Sequence, residues 1–121
     1  MRSLRILVVD DDEIVCALLE DILIRQGHQA VTKTVPQLGL AAARHADFDL
    51  VLLDVRMQGL DGLEVLKQLR PLLPKARFVM ITGSPEDERA GEALSRGATL
   101  CLSKPFDSDM VEGLLTTLFA A

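Results

Sequence analysis

Basic residues are in the minority: 13 lysines and arginines stand against 18 aspartates and glutamates, giving a net charge of minus 5. That balance argues against the broad phosphate-binding surface that dominates nucleic-acid affinity, so direct DNA or RNA binding by this chain is not expected. Cysteine is almost missing. Cys16 and Cys101 lie far apart in apolar stretches with no metal-ligand spacing, which suits inert core thiols in a reduced, cytoplasmic protein. Long apolar runs are missing too: none approaches the roughly 18 residues of a membrane span. Met1-Arg2-Ser3 leads into the first apolar run without the h-region of a signal peptide, so no membrane partner is expected.

What is present is a core-forming chain. Its 121 residues are 49% hydrophobic, enough for one globular domain over residues 1–121 and too apolar for a disordered segment. Short apolar runs at residues 4–9, 30–33, 50–53, 78–82 and 99–102 alternate with longer segments of helical period. The third and fourth runs are apolar on both faces, as strands of a covered parallel sheet must be. Ile14, Val15, Leu18, Leu19, Ile22 and Leu23 form a stripe in the first helical segment, which Gly27 stops. Leu63, Leu66, Leu69 and Leu73 repeat the pattern in the third, and Val111, Leu114, Leu115 and Leu118 in the last. Ser84 is an N-cap candidate for the fourth helix, with Pro85 in its first turn and Glu86, Asp87 and Glu88 favoured by the helix dipole. Strands alternating with helices predict an α/β fold, a doubly wound five-stranded parallel sheet with five helices.

In such sheets the ligand crevice lies beyond the carboxyl ends of the strands, where strand order reverses. The stretch ILVVDDDEIV, residues 6–15, therefore delivers Asp10, Asp11 and Asp12 to the place where a site belongs. Asp54 follows the third run, Thr82 ends the fourth and Lys104 follows the fifth. With the order 2-1-3-4-5, strands one and three are neighbours, and Asp10 and Asp11 face Asp54. Two unit charges about 4 Å apart repel by about 4 kcal/mol at an effective dielectric near 20, so three carboxylates need protons or a cation. Carboxylate oxygens, with water and an incoming phosphate, describe Mg²⁺ better than zinc. Lys104 offers a point charge and Thr82 a hydroxyl for phosphoryl oxygens. Together these residues suit phosphoryl transfer to a carboxylate nucleophile.

Taken one at a time, the residues admit plainer roles. Asp12 and Glu13 fit first-turn helix acids, Asp107 and Asp109 fit the start of the last helix, and His28 and His45 fit surface positions. Asp10 and Asp11 as mere caps would leave Asp54 unexplained. Two other functions remain open. Asp10-Asp11-Asp12 also fits the Asp-x-Asp motif of a haloacid-dehalogenase-like phosphatase, but that family needs a further acidic pair after a later strand, and Asp54 would be idle. The second is an interaction module of similar shape that never takes phosphate.

The sequence resembles the receiver domain of bacterial two-component response regulators over nearly its whole length. The resemblance is carried by Asp10-Asp11 after the first strand, Asp54 in DVRMQGLDG, Thr82, and Lys104-Pro105-Phe106. It implies a flavodoxin-like receiver fold in which Asp54 is the phosphorylated aspartate. It implies Mg²⁺, or Mn²⁺ in its place, held by Asp11, Asp54 and the backbone carbonyl of Arg56, with Asp10 acting through water. Thr82 and Lys104 would hold the phosphoryl oxygens, and the Lys104-Pro105 bond would be cis. A sensor histidine kinase or phosphotransfer protein would be the donor, and an effector domain or downstream protein the recipient. Helix 4, strand 5 and helix 5 would form the output face, through which homodimers also form. The resemblance makes the chain a phosphorelay switch that catalyses only its own phosphorylation and dephosphorylation. Three positions depart from the family pattern. Gln58 replaces a common proline, which would loosen the loop. Cys101 stands where an aromatic commonly moves inward, and with no tyrosine or tryptophan in the chain that half of the switch is missing. Arg56 and Ser84 fall where side chains line access to the phosphoryl group.

Overall fold

The computed structural model describes residues 2–57, 60–84 and 87–120. Five parallel strands form the sheet: β1 Arg5–Val9, β2 Gln29–Lys33, β3 Leu50–Asp54, β4 Arg77–Thr82 and β5 Leu100–Ser103, in the order β2-β1-β3-β4-β5. The helices are α1 Glu13–Arg25, α2 Pro36–His45, α3 Gly62–Leu72, α4 Glu88–Ser95 and α5 Ser108–Phe119. A two-residue antiparallel ribbon, Arg56–Met57 against Leu60–Asp61, lies between β3 and α3. Gln58, Pro85 and Glu86, to which the sequence reading gave roles, lie outside the described residues.

Alternation along each strand sends side chains to two cores, one per face of the sheet. On one face Leu7, Val9, Val51, Leu53 and Met80 pack under α2, α3 and α4; on the other Ile6, Val8, Leu52, Val79 and Ile81 pack under α1 and α5. Every residue of β3 is buried, as its unbroken apolar run requires. A leucine buried this fully contributes about 1.5–3 kcal/mol, which makes the central strands a rigid platform.

Four of the five helices start at an aspartate cap. Asp12 caps α1, accepting from the amides of Ile14 and Val15, and Glu13 sits in the first turn, both as expected. Asp107 likewise caps α5. Gly27, at φ 91°, ends the turn after α1 in a conformation that favours glycine. Three expectations need correction. The cap of α4 is Asp87, which accepts from the Arg89 amide, and not Ser84, whose amide instead donates to Thr82. Not all of the α1 stripe is core: Cys16, Leu19, Ile22 and Leu23 are buried, whereas Ile14 and Leu18 are exposed. His28 is not at the surface. It is buried and its Nδ1 accepts a 3.0 Å bond from the Leu4 amide, which would otherwise lack a partner at the foot of β1. His45 is exposed, as read. No described helix is long and apolar enough to cross a membrane.

Candidate functional site

Strand register assembles the site. Val9 pairs with Leu53, so Asp10 leaves β1 beside Asp54; Asp54 pairs with Ile81, so Thr82 stands one step further on. Thr82 pairs with Ser103, and Lys104 is the next residue, its amide bonded to the Thr82 carbonyl at 2.8 Å. Four sequence-distant residues thus converge at the carboxyl edge of the central strands. Buried strands, rather than the loops, fix their positions.

Carboxylate oxygens of Asp10, Asp11 and Asp54 all lie within 4.8 Å of one another. Asp10 and Asp54 are buried, and Asp11 is exposed at the rim. The Asp10 Oδ1 accepts from the Asp12 amide at 2.9 Å, which turns the chain toward α1. Its Oδ2 is buried without a hydrogen bond, although the Lys104 ammonium lies 3.3 Å away. Asp54 Oδ2 is 4.0 Å from the same ammonium, while its Oδ1 accepts from the Arg56 amide at 3.2 Å. Lys104 therefore stands nearer to Asp10 than to Asp54. Its peptide bond to Pro105 is cis, as the resemblance implied.

Burial pushes the Asp54 carboxyl up to about 7, reinforced by the Asp10 charge and opposed by the Arg56 amide and Lys104. Lys104 brings one positive charge to two buried carboxylates, Asp10 and Asp54. An orphaned buried carboxylate oxygen and a hard, all-oxygen donor set fit a divalent cation of the Mg²⁺ or Ca²⁺ type. The Cys16 thiol, which donates to the Asp10 carbonyl at 3.2 Å, is pushed up to about 11 by burial and by the Asp10 charge, so it stays a neutral core group.

Thr82 reaches the site edge, where its hydroxyl is held by the Ser84 backbone. Its hydroxyl donates to the Ser84 carbonyl at 2.7 Å and accepts from the Ser84 amide at 3.1 Å. Gly62 closes the loop after Asp54. A Cβ there would meet the Asp54 and Val55 carbonyls, and Asp61 caps α3 just before it. Cys101 is half buried and its thiol lies 3.7 Å from the Ala90 carbonyl on α4. Sequence reasoning did not anticipate the ionic contacts beyond the site. Arg56 binds Asp87 through two nitrogens, and Asp61 pairs with Arg89.

The sequence pattern of the response regulator receiver domain matches residues 6–115. The transcriptional regulatory protein ZraR of Escherichia coli K12 is 36% identical over 118 residues, 98% of this chain and 27% of that protein. Sporulation initiation phosphotransferase F of Bacillus subtilis is 31% identical over 111 residues, 92% of this chain and 90% of that protein. Among solved structures, the chemotaxis protein CheY4 of Vibrio cholerae superposes with a TM-score of 0.90 at 27% identity, covering 98% of this chain and 100% of that one. The chain thus spans about a quarter of ZraR and nearly all of the phosphotransferase.

Proposed function

The chain belongs to the response regulator receiver domain family, and from that membership we propose that Asp54 is its phosphoacceptor. As a receiver of two-component systems it is a phosphorelay switch. The carrying observation is the cluster in which Asp10, Asp11 and Asp54 bring carboxylate oxygens within 4.8 Å of one another, with Lys104 beside them. An Asp-x-Asp phosphatase reading has no use for Asp54 and needs Asp12 free, whereas Asp12 caps α1.

Asp54 attacks the phosphorus of a phosphohistidine. The P–N bond breaks, its electron pair returns to the imidazole, and an acyl phosphate forms on the aspartate. Asp10, Asp11, Asp54 and the backbone carbonyl of Arg56 would hold Mg²⁺, or Mn²⁺ in its place. When bound, the cation supplies positive charge against the phosphoryl oxygens. Lys104 is poised to bind one oxygen, and Thr82 another once its hydroxyl leaves Ser84. Water attacking the same phosphorus ends the signal, with Asp54 as leaving group.

The donor is a sensor histidine kinase or a phosphotransfer protein in the cytoplasm. Phosphorylation adds about 1.5–2 negative charges at Asp54. Drawing Thr82 and Lys104 inward would shift α4, β5 and α5, the face offered to an effector domain, a downstream protein or a second copy of the chain. Incubation with Mg²⁺ and a small-molecule phosphodonor should add the mass of one phosphate to the intact protein. No gain, or a gain retained in Asp54→Asn, overturns the assignment.

A further inference from the structure

We propose that two ion pairs, Arg56 with Asp87 and Asp61 with Arg89, form a latch that holds the start of α4 against the loop after Asp54 in the unphosphorylated protein. The inference rests on Asp54 being the phosphoacceptor.

The four charges come in two adjacent couples. Arg56 and Asp61 stand opposite each other on the ribbon after β3, while Asp87 and Arg89 stand at the cap and in the first turn of α4. The couples are complementary: Arg56 Nε lies 2.6 Å from Asp87 Oδ2, and Arg89 Nε lies 2.9 Å from Asp61 Oδ2. Arg56 adds a second contact, its Nη2 to Asp87 Oδ1 at 3.2 Å, giving the fork geometry that sets a guanidinium apart from a lone point charge. The Arg56 side chain is 63% exposed, yet it lies over the Asp87 carboxylate, which keeps only 8% exposure. The carboxyl of Asp87 is held below its ordinary range, first by the Arg56 bond and then by the Arg89 amide.

These contacts matter because α4 has little apolar burial to hold it. Only Ala90 and Ala93 of this helix are buried, whereas α3 buries Leu63, Val65, Leu66 and Leu69. A helix that buries two methyl groups is anchored weakly by apolar contact, so ion pairs decide its resting position.

A continuous path also joins the latch to both ends of the site. The Arg56 amide donates to Asp54 Oδ1, and its guanidinium binds Asp87. The Asp87 amide donates to the Ser84 carbonyl at 3.1 Å, the same oxygen that accepts the Thr82 hydroxyl at 2.7 Å. For Thr82 to reach a phosphoryl group on Asp54, its hydroxyl must leave Ser84. Asp87, bonded to that same Ser84 carbonyl, is then freed to move, but only as far as the latch allows. The latch therefore favours the resting arrangement, and phosphorylation works against it.

Calorimetric titration of the full chain with beryllofluoride, a phosphoryl mimic, in saturating Mg²⁺ tests this. Asp87→Asn keeps a capping side chain but removes the charge. It should bind beryllofluoride about fivefold more tightly than the unaltered chain, at the lower end of allosteric couplings. Arg89→Gln should act in the same direction, and both variants should leave Mg²⁺ affinity without beryllofluoride unchanged. Tightening accompanied by an equal change in Mg²⁺ affinity would make the contacts merely structural and overturn the latch. Unchanged or weaker beryllofluoride binding in both variants would overturn it too, while leaving Asp54 as phosphoacceptor. If the unaltered chain binds no beryllofluoride, or Asp54→Asn binds it as well, the phosphoacceptor reading falls and the latch with it.

Discussion

Replacing Asp54 by asparagine removes a charge that the fold holds at a cost, so without metal the variant should be more stable than the unaltered protein. Burial and Asp10 raise the Asp54 carboxyl from 3.8 to about 7, a rise of about 3 pH units. At about 1.4 kcal/mol per unit, the ceiling is about 4 kcal/mol. The site is open at its rim, where Asp11 is exposed and Lys104 is 29% exposed. Water there reduces the figure to about 2 kcal/mol. With an unfolding entropy of about 2.1 cal/mol/K per residue, a chain of this length gains about 4 °C in melting temperature per kcal/mol, or about 8 °C. The sign fixes the pH window. The folded state holds the proton more tightly than the unfolded chain, so stability falls as pH rises from about 4 to about 7. Thermal melts in a chelator should show the full advantage of Asp54→Asn at pH 8 and a smaller one at pH 5. Saturating Mg²⁺ should shrink it, because a site with the Asp54 carboxylate gains more from the cation than one with an asparagine there. A variant that melts at or below the unaltered protein at pH 8 in chelator would refute the charge-crowding argument.

Asp11→Ala should weaken Mg²⁺ binding severely in a metal titration, whereas Asp12→Ala should leave it nearly unchanged and cost about 1 kcal/mol of stability through the lost cap; equal effects on metal would show the triplet wrongly divided. Gly62→Ala drives a Cβ into the Asp54 and Val55 carbonyls and should cost about 2–3 kcal/mol in urea unfolding. A neutral result would mean that the loop can move aside. Burial holds the His28 imidazole below its ordinary 6.5. Its contribution is therefore present above 6.5 and is lost as pH falls through the lowered value, and an NMR titration should place the midpoint below 6.5; one at or above it would contradict the bond from Leu4.

The sheet was legible because its evidence is written in runs. Five apolar segments with helical spacers leave few topologies open, and the buried third and fourth runs can only be central strands. Where a residue's partner lies far along the chain, the pattern carried less. His28 looks like a polar linker residue until its bond to Leu4, which is 24 positions away, is seen. Ile14 and Leu18 have core-like spacing, yet α1 shows them to solvent, because Cys16, Leu19, Ile22 and Leu23 already cover the sheet.

The site divides along the same line. Asp10, Asp54, Thr82 and Lys104 could be read from sequence because each is attached to a strand end, and register turns strand order into proximity. Orientation has no such signature. Nothing in the order of residues says that the Thr82 hydroxyl rests on Ser84, or that Asp87 rather than Ser84 caps α4. Both follow from one arrangement: the carboxylate of Asp87 is fixed by Arg56 from one side and by the Arg89 amide from the other, which sets where the helix starts, and the Asp87 amide shares the Ser84 carbonyl with the Thr82 hydroxyl. A strand end can therefore place a functional group in the sequence, but the direction it faces at rest depends on ion pairs between loops. Three of the four charges, on Arg56, Asp61 and Arg89, are partly exposed, which keeps those contacts weak enough for the phosphoryl group proposed at Asp54 to reset them.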